Sequence, residues 1–422
     1  MKIVVLGLWH LGCVTAACTA RHFEVSGLDF DDEVVAKLRL GNAPLSEPGL
    51  NELISLGLVS GRLSFTTDAK QACDAADVLW VTYDTPVNDN DISDVAAVVA
   101  PLQRVLPLMH AGSLVLVSSQ LPVGTCKSLE RDFPGLKFAA SPENLRLGKA
   151  IDAFEKAERV IVGTRDNTTH DTLATLLAPF TSQVIFMRTE SAEMVKHSIN
   201  SFLALSITFI NEIARLCEHT GADAKEVSLG LKSEPRIGPR AYLGPGGPFA
   251  GGTLARDVVT LSGIGRSAGE VLSVIPAIKQ SNDLHRGWSL RRLGSLLGDL
   301  RGRTIAILGL VYTPGTNTLR RSSAVELCRE LLAAGARVMA YDPAVQSLPA
   351  ELQQILLARD MAEVLHGSDA AVVCTEWPDF RQINWPPHVA AMRRKVFVDA
   401  NRFLEKQLAA IPGVELVSVG RA

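Results

Sequence analysis

The first thirty residues constrain the fold of this chain more than any other stretch. They contain, in order, a strand-like apolar segment, a glycine-bearing turn, an apolar helical segment and a second strand, over residues 2–6, 7–12, 13–21 and 24–28. This order predicts the first half of a βαβ unit, in which the helix packs on a parallel sheet. The second strand ends at Asp29, and an acid there favours NAD over NADP because it can accept hydrogen bonds from an adenosine ribose.

The glycine pattern of this turn departs from the dinucleotide fingerprint at one position. Gly7 and Gly12 are in place, but Trp9 stands where a further glycine would let the backbone approach a pyrophosphate. The glycine pair is a useful signal only because the strand, the helix and the acid are in register with it. We therefore predict an NAD site, with contacts from Gly7, His10, Leu11, Gly12 and Asp29.

The same apolar N-terminus also resembles a signal peptide. However, Gly7, His10 and Gly12 interrupt the apolar run, and a strand follows at once. A nucleotide-binding strand–turn–helix explains these features together, so we favour it over secretion. No other segment of the sequence is long and apolar enough to predict a membrane span.

Composition excludes several classes of protein. The net charge of −3 gives no reason to expect binding to nucleic acid or to a membrane surface. The seven cysteines are scattered, and none form a CxxC pair, so the sequence predicts neither a disulfide framework nor a metal site. This cysteine usage fits a reducing cytoplasm.

Three later strand-like segments each end at a polar turn. They cover residues 78–82, 113–117 and 138–140. Ligands of open parallel sheets lie outside the carboxyl ends of the strands, so these turns are candidate walls of the cofactor site. We predict further cofactor contacts from Thr85, Pro86 and Gln120. The alternative is that the turns are only connections, as most such turns are.

Residues 191–221 carry the longest helical pattern in the chain. At about 1.5 Å per residue the helix would be roughly 45 Å long, which favours a helix that links two domains and packs against another subunit. Lys196 and Asn200 are four residues apart and project from one face. If no other polar residue lies near this face, Lys196 and Asn200 are simply a solvent-exposed pair.

Residues 244–257 form the most glycine-rich stretch, with five glycines between Gly244 and Gly252. This composition suits a loop that presses its backbone against a ligand. An apolar helical segment follows over residues 258–264, and the loop would present Thr253, a poor nucleophile unless a base activates it. The alternative is a surface loop without chemistry.

Residues 303–341 repeat the opening pattern, with a strand, Gly309, a loop, a helix and a strand that ends before Asp342. This half has no three-glycine fingerprint and need not bind a dinucleotide. We predict an α/β fold of two Rossmann-like, doubly wound domains joined by a long central helix and a helical dimerisation region. The predicted domains cover residues 1–188, 189–300 and 301–422.

Motifs in the same order across nearly the whole chain resemble the UDP-glucose/GDP-mannose dehydrogenase family. Besides the opening βαβ unit they are Glu47-Pro48-Gly49-Leu50, Thr85-Pro86, Pro122-Val123-Gly124-Thr125, Ser141-Pro142-Glu143 with Leu145, Arg159-Val160-Ile161-Val162-Gly163, Lys196 and Asn200, Arg236-Ile237-Gly238, the glycine loop, Tyr341-Asp342-Pro343 and Thr375-Glu376-Trp377. The resemblance implies an NAD-dependent enzyme that oxidises the C6 alcohol of a nucleotide sugar to a carboxylate, and a third domain that binds the nucleotide sugar. It also implies a homodimer or higher homo-oligomer built on the central helix.

The resemblance assigns roles to individual residues. It places Lys196 and Asn200 at the oxyanion positions and makes Asp257 and Glu143 the carboxylates that handle protons, which is the equipment that hydride transfer from an alcohol needs. The implied substrate contacts are Leu145, Arg146, Arg236, Tyr242, Phe249, Gly251 and Arg320, and in such dimers Arg236 reaches the partner's sugar site.

One catalytic position departs from the family. The second oxidation needs a thiolate to trap the aldehyde, yet Thr253 occupies the cysteine position when Asp257 is placed on the family's final aspartate. No cysteine lies between Cys217 and Cys328 that another alignment could use. Further departures are Trp9, Gln120 for a threonine, Thr313 for a lysine, Asn317-Thr318 for two aspartates and the inverted Asn401-Arg402.

Three hypotheses follow from this pattern, and the least favoured is the ordinary four-electron enzyme with Thr253 as its nucleophile, because a threonine hydroxyl is a far weaker nucleophile than a thiolate. The first is an NAD-dependent nucleotide-sugar oxidoreductase whose four-electron reaction is limited or altered because Thr253 replaces the nucleophile. The alternative is a nucleotide-sugar-binding pseudoenzyme with a structural or regulatory role, motivated by the bulk of Trp9 in the pyrophosphate path. The four retained polar residues favour the first hypothesis.

Overall fold

The chain divides into two compact units, Met1–Ile199 and Asn200–Ala422. The structure is a computed structural model, and it describes residues 1–88, 90–143, 145, 147–250 and 252–421. Elements named below are those of the described residues. In this part of the chain, no helix is long and apolar enough to cross a membrane.

The first unit is built on an eight-stranded sheet. Its strands are β1 (Lys2–Leu6), β2 (Glu24–Leu28), β3 (Leu63–Thr66), β4 (Val78–Val81), β5 (Leu114–Val117), β6 (Lys137–Ala140), β7 (Val160–Thr164) and β8 (Val184–Met187). Their spatial order is β3-β2-β1-β4-β5-β6-β7-β8. Strands β6 and β7 pair antiparallel, whereas the other neighbouring strands pair parallel.

Helices cover this sheet. They are α1 (His10–Thr19), α2 (Asp32–Arg39), α3 (Leu50–Val59), α4 (Ala69–Cys73), α5 (Ala96–Val105), α6 (Thr125–Asp132), α7 (Ala150–Glu155), α8 (His170–Leu177) and the start of α9 (Thr189–Thr220). Strand β1 shows the effect of this cover, because Ile3, Val4, Val5 and Leu6 are all fully buried. A parallel strand with helices on both sheet faces must be apolar at every position, which explains the unbroken run.

The second unit continues α9 and adds a helical segment followed by a six-stranded sheet. Its remaining elements are α10 (Ala224–Ser233), α11 (Thr253–Ala268), α12 (Val274–Arg286), α13 (Trp288–Leu297), β9 (Thr304–Leu308), α14 (Ser323–Ala333), β10 (Arg337–Tyr341), β11 (Leu356–Leu357), α15 (Met361–Leu365), β12 (Ala370–Val373), α16 (Trp385–Ala390), β13 (Val396–Val398), α17 (Glu405–Leu408) and β14 (Glu415–Val417). The strand order is β11-β10-β9-β12-β13-β14, and all neighbouring pairs are parallel.

The predicted fold class is confirmed: both units carry a Rossmann-like sheet, and α9 is the long central helix. Two local predictions differ from the structure. Helix α1 begins at His10 rather than at residue 13, because Gly12 allows the helix to start close to the turn. The sheet of the first unit is not wholly parallel, since β7 runs opposite to β6.

Candidate active site

The turn between β1 and α1 is closed by two glycines that leave no room for a side chain. Gly7 has a φ of +97°, and a Cβ there would lie 2.7 Å from the ring of Tyr83. A Cβ on Gly12 would lie 1.7 Å from the carbonyl oxygen of Gly7. The N-terminus of α1 therefore begins at the carboxyl end of β1, the position where Rossmann folds bind a pyrophosphate.

Asp29 supports the same turn from the end of β2. Its Oδ2 accepts a hydrogen bond from the Leu8 amide at 2.6 Å, and its Oδ1 accepts one from the Asp31 amide at 3.1 Å. A carboxylate has about four acceptor positions, and Asp29 is partly exposed, so capacity remains for ribose hydroxyl groups. The tight glycine turn and this carboxylate together fit NAD.

The residue that departs from the glycine fingerprint fits the backbone of the turn. Trp9 is the N-cap residue of α1 with a φ of −91°, a value that any residue can adopt. Its side chain lies at the surface, with the residue 45% exposed. The neighbouring His10 is the first residue of α1, and its Nε2 lies 2.9 Å from Oε2 of Glu47.

The predicted cofactor contacts after β4 and β5 lie together. Thr85 is buried and donates its hydroxyl to the carbonyl oxygen of Gln120 at 2.7 Å. The Gln120 side-chain nitrogen lies 3.4 Å from Nδ1 of His197 on α9. Pro86, next to Thr85, is exposed. These contacts join the two turns at the carboxyl edge of the sheet, and contact of Thr85, Pro86 and Gln120 with the cofactor stays a prediction.

Lys196 and Glu143 form an ion pair in the first unit. The Lys196 Nζ lies 3.8 Å from Oε1 of Glu143, and the two side chains are 9% and 28% exposed. The other Glu143 oxygen accepts a hydrogen bond from the amide of Leu145. Two opposite charges held this far from water compensate each other's desolvation, and they leave a cation and a carboxylate available to a reacting group.

Asn200 and Asp257 form a second polar pair, in the second unit. Asp257 lies on α11 and is completely buried, and its Oδ2 accepts a hydrogen bond from the Asn200 amide group at 2.5 Å. The guanidinium of Arg256 lies 3.6 Å from the other oxygen. A buried carboxylate is costly unless donors and a cation compensate it, so this arrangement keeps Asp257 in one orientation.

Side chains from distant segments hold the backbone of the glycine loop. Asn211 accepts a hydrogen bond from the Gly246 amide and donates one to the Gly247 carbonyl, at 3.0 and 3.2 Å. Asn401 accepts from the Gly247 amide at 2.7 Å, and Nε2 of His285 lies 2.8 Å from the Gly246 carbonyl. A Cβ on Gly246 would lie 2.1 Å from the Asn401 oxygen, which explains the glycine there.

The far end of the loop runs directly into α11. Asn282 pairs with both backbone groups of Phe249, at 3.0 and 2.9 Å. Gly252, with a φ of +103°, turns the chain, and Thr253 is the first residue of α11 rather than a residue of the loop before it. The helix therefore begins five residues before the predicted segment 258–264. The loop glycines that weaken a helix end at Gly252, and the residues that follow are compatible with one.

Thr253 borders a cavity of about 470 Å³ in the second unit. The lining residues are Ile207, Tyr242, Gly244, Gly246, Gly247, Pro248, Phe249, Ala250, Thr253, Leu254, Tyr312 and Asn401. The cavity is thus lined by glycines of the loop, by the phenol rings of Tyr242 and Tyr312 and by Thr253. Burial raises the pKa of Tyr312, so its phenol stays protonated at neutral pH and can donate a hydrogen bond.

The predicted substrate contacts fall in different surroundings. Tyr242 and Phe249 line the cavity, and Leu145 lies beside Glu143. Arg236 is highly exposed and donates to the Glu234 carboxylate, and Arg320 is exposed on the loop before α14. The remaining two, Arg146 and Gly251, lie outside the described residues.

Cys126, near the start of α6, is fully buried, and burial raises the pKa of its thiol well above the ordinary value. It packs in an apolar core of the first unit as a small residue. Among the residues that the structure describes, no group of three or more His, Cys, Asp or Glu side chains could hold a metal ion.

Sequence reasoning did not identify the side chains that hold the glycine loop. Asn211, Asn282 and His285 lie on α9 and α12, and each looks like an ordinary polar residue of a helix. Each of the three is a polar residue within an apolar helical pattern, which is a possible sign of a buried polar group. Whether one such position is buried cannot be decided without the fold. Asn401 was noted only as part of an inverted family motif.

Three family models match successive parts of the chain. Residues 1–181 match the NAD-binding domain of the UDP-glucose/GDP-mannose dehydrogenase family, residues 190–284 its central domain and residues 306–406 its UDP-binding domain. The match to the NAD-binding domain identifies NAD as the cofactor.

Relatives of known activity cover the whole chain. A UDP-glucose 6-dehydrogenase of Rhizobium meliloti is 32% identical over 437 residues, with all of both chains covered. A second UDP-glucose 6-dehydrogenase, from Bacillus subtilis, is 31% identical and covers all of this chain and 93% of its own length. The solved structure of a UDP-glucose dehydrogenase from Pyrobaculum islandicum superposes with a TM-score of 0.90 at 29% identity, covering 100% of this chain and 98% of that one.

Proposed function

The chain belongs to the UDP-glucose/GDP-mannose dehydrogenase family, and we propose that it oxidises a CH–OH group of a nucleotide sugar with NAD in one two-electron step. The observation that carries this proposal is Thr253. It borders the cavity at the start of α11, where the resemblance expects a cysteine, while both polar pairs of the first oxidation are kept.

The first polar pair supports removal of a hydride and a proton from the alcohol. Bound NAD supplies the hydride acceptor. Lys196 is suited to stabilise negative charge on the alcohol oxygen, because its ammonium is largely shielded from water. Glu143 is suited to accept the proton, directly or through a water molecule, because it is less buried than its partner.

The second polar pair supports a different part of the same chemistry. The Asn200 amide group is oriented by its hydrogen bond to Asp257, and its own donors are those the resemblance assigns to the oxyanion. Because Asp257 is buried and held by two neighbours, we assign it an orienting and electrostatic role. Removal of such a preorganised donor costs about 10²–10³-fold in rate.

The second oxidation lacks its nucleophile. A thiolate adds to an aldehyde to give a thiohemiacetal, which can lose a second hydride to form a thioester. A threonine hydroxyl is a far weaker nucleophile, and Asp257, the carboxylate near it in sequence, is already engaged with Asn200 and Arg256. We therefore assign an aldehyde or ketone as the product, with acid formed only slowly from a hydrated aldehyde.

Product analysis tests this function. The protein is incubated with NAD⁺ and a panel of UDP- and GDP-sugars, and the products are identified by mass spectrometry. The proposal predicts a nucleotide sugar that has lost two hydrogens. Rapid formation of the uronate would contradict it, and calorimetry that detects nucleotide-sugar binding but no NAD⁺ binding would favour the alternative, a nucleotide-sugar-binding pseudoenzyme.

We also propose a homodimer that packs through α9. Phe202, Phe209 and Leu216 are 67%, 45% and 61% exposed, and a spacing of seven residues places them on one face of the helix. Exposed apolar side chains in such a row are typical of an interface. Sedimentation should give about twice the 45.3 kDa chain mass, and Phe202→Asp should shift it to the monomer; a monomeric wild type at micromolar concentration would contradict the proposal.

The seven free cysteines support a cytoplasmic location, which we assign to the enzyme. Six of them are buried as single thiols in the two cores, where they pack as small apolar groups. Recovery of the native protein from the periplasmic or secreted fraction of its source would contradict this assignment.

A further inference from the structure

Glu47 contacts two segments that lie far from it in the sequence. Its Oε2 lies 2.9 Å from Nε2 of His10, which is 37 residues away, and accepts a hydrogen bond at 2.7 Å from the amide of Gly148, which is 101 residues away. Its Oε1 accepts a hydrogen bond from the amide of Ala150 at 2.9 Å. The Glu47 side chain is 1% exposed.

One of these segments is the cofactor turn. His10 is the first residue of α1, directly after the turn that carries Gly7 and Trp9. The imidazole can reach the Glu47 carboxylate only while the start of α1 keeps its present position. Any movement of the turn toward or away from a bound pyrophosphate would therefore stretch this contact.

The other segment follows Glu143 and Leu145. Among the described residues, the N-cap residue of α7, Lys149, makes no side-chain cap bond of its own, and the Glu47 carboxylate supplies the missing acceptor for Ala150. The amide of Gly148 shares the same carboxylate. Glu47 thus determines where the segment after Glu143 enters α7.

The position of Glu47 is itself fixed. It begins the Glu47-Pro48-Gly49-Leu50 motif, and its carbonyl oxygen accepts a hydrogen bond from the Leu50 amide at the start of α3. The carboxylate cannot be replaced easily, because each of its oxygens accepts from a backbone amide. A glutamine would turn its NH₂ group toward one of those amides, and a buried donor without an acceptor is destabilising.

We propose that Glu47 is a positioning residue that couples the cofactor turn to the substrate segment, so that NAD and the nucleotide sugar strengthen each other's binding. This inference rests on the proposed function, since it takes Glu143 and Leu145 to border the substrate. The coupling runs through one carboxylate and is reciprocal, as binding linkage requires. Glu47 touches neither ligand in this account.

The test measures coupling rather than activity. Dissociation constants for NADH and for UDP-glucose, a pair that cannot turn over in the oxidation direction, are measured by calorimetry for each ligand alone and with the other at saturation. We expect each ligand to tighten the other by at least about fivefold in the wild type. Glu47→Gln should reduce this factor to near one, whereas Glu52→Gln, an exposed acid on α3, should leave it unchanged.

A second variant separates coupling from general destabilisation. His10→Phe removes the contact to the cofactor turn but leaves the amides of Gly148 and Ala150 on the carboxylate. It should abolish the coupling while UDP-glucose alone binds with unchanged affinity, and it carries the test if Glu47→Gln does not fold. The proposal would be overturned if His10→Phe kept the wild-type coupling factor. It would also be overturned if Glu47→Gln bound both ligands more weakly but with the wild-type coupling factor.

Failure of the proposed function has a different signature. If the wild type binds NADH but not UDP-glucose, the substrate assignment is wrong, and the link is read from amide hydrogen exchange at Gly148 and Ala150. With each protein saturated with NADH, exchange at these amides should be slower than without ligand in the wild type and unchanged in His10→Phe. Equal slowing in both proteins would overturn the link.

Discussion

In the first unit, Gly7 follows β1 with a φ of +97° and donates its amide to the last carbonyl of β2; in the second unit, Gly309 follows β9 with a φ of +91° and donates to the last carbonyl of β10. The acid that ends the second strand is Asp29 in one case and Asp342 in the other. Each acid accepts the amide of the residue after the glycine, at 2.6 Å in both units. The same chain pattern therefore makes the same turn twice.

The carboxylates of Asp29 and Asp342 nevertheless differ in how much hydrogen-bond acceptor capacity is left for a ligand. Asp29 is partly exposed and holds two backbone amides. Asp342 is 3% exposed, and its Oδ2 accepts from the amides of Leu310 and Val311 and from the indole of Trp377. Its Oδ1 accepts from the Ala344 amide, so four protein donors occupy Asp342, whereas Asp29, with two, can still accept hydrogen bonds from a ribose.

The helices that follow also differ. Gly12 allows α1 to begin within four residues of Gly7, so its N-terminus meets the turn. In the second unit α14 begins only at Ser323, after a loop that carries Arg320. A strand–glycine–acid pattern therefore forms a dinucleotide site only when a helix begins at the same turn. Where the helix begins later, as in the second unit, the turn has a structural role and the loop before the helix is available for another ligand.

The largest expected difference between the halves concerns the glycines. Gly12→Ala forces a Cβ against the Gly7 carbonyl and must displace α1, so we expect NAD⁺ affinity to fall by about 100-fold or more. Gly309→Ala should cost about 1–3 kcal/mol of stability, because its Cβ would lie 2.4 Å from Thr375 and its φ is positive.

Calorimetry with NAD⁺ and thermal unfolding separate these outcomes. The Gly309→Ala protein should bind NAD⁺ within about twofold of the wild type, since the site lies in the other unit. An equal loss of NAD⁺ affinity in both variants would contradict the claim that only the first of the two turns binds NAD⁺.

A smaller difference is expected for the acids. Asp29→Asn should weaken NAD⁺ binding by about tenfold, because a hydrogen bond to a charged group contributes about 1.5–3 kcal/mol and one to a neutral group about 0.5–1.5 kcal/mol. It should change stability little, because Asp29 is partly exposed and water can replace a lost acceptor. Asp342→Asn leaves one oxygen where two accept from the amides of Leu310, Val311 and Ala344 and from the indole of Trp377, so it should cost about 1–3 kcal/mol of stability without weakening NAD⁺ binding. The same two measurements check this pair, and a stable Asp342→Asn protein that loses NAD⁺ would show that the second turn also serves the cofactor.

Local patterns of the sequence predicted most of this architecture. The strand, glycine and acid of each half are close in sequence, and all three are reproduced in the structure. Strand direction is not contained in an apolar run, which is why the antiparallel pairing of β6 and β7 was not foreseen. The start of α11 at Thr253 was also missed, because the glycines before it obscure the helical pattern.

Contacts between residues that are distant in the chain could not be predicted from the sequence. The amides of Gly246 and Gly247 are held by Asn211 and Asn401, which lie 35 and 154 residues away. Glu47 reaches Gly148 across 101 residues. The site residues assigned by resemblance remain predictions about ligand contact, although within each pair, Lys196–Glu143 and Asn200–Asp257, the two side chains contact each other.

The central claim is that Thr253 limits the enzyme to one oxidation. It is tested by counting NADH formed per nucleotide sugar consumed, with the sugar limiting and NAD⁺ in excess, in the wild type and in Thr253→Cys. The account predicts one NADH per sugar for the wild type and a rise toward two for Thr253→Cys, because a thiolate can trap the aldehyde. Two NADH per sugar from the wild type at the rate of the first oxidation would contradict it.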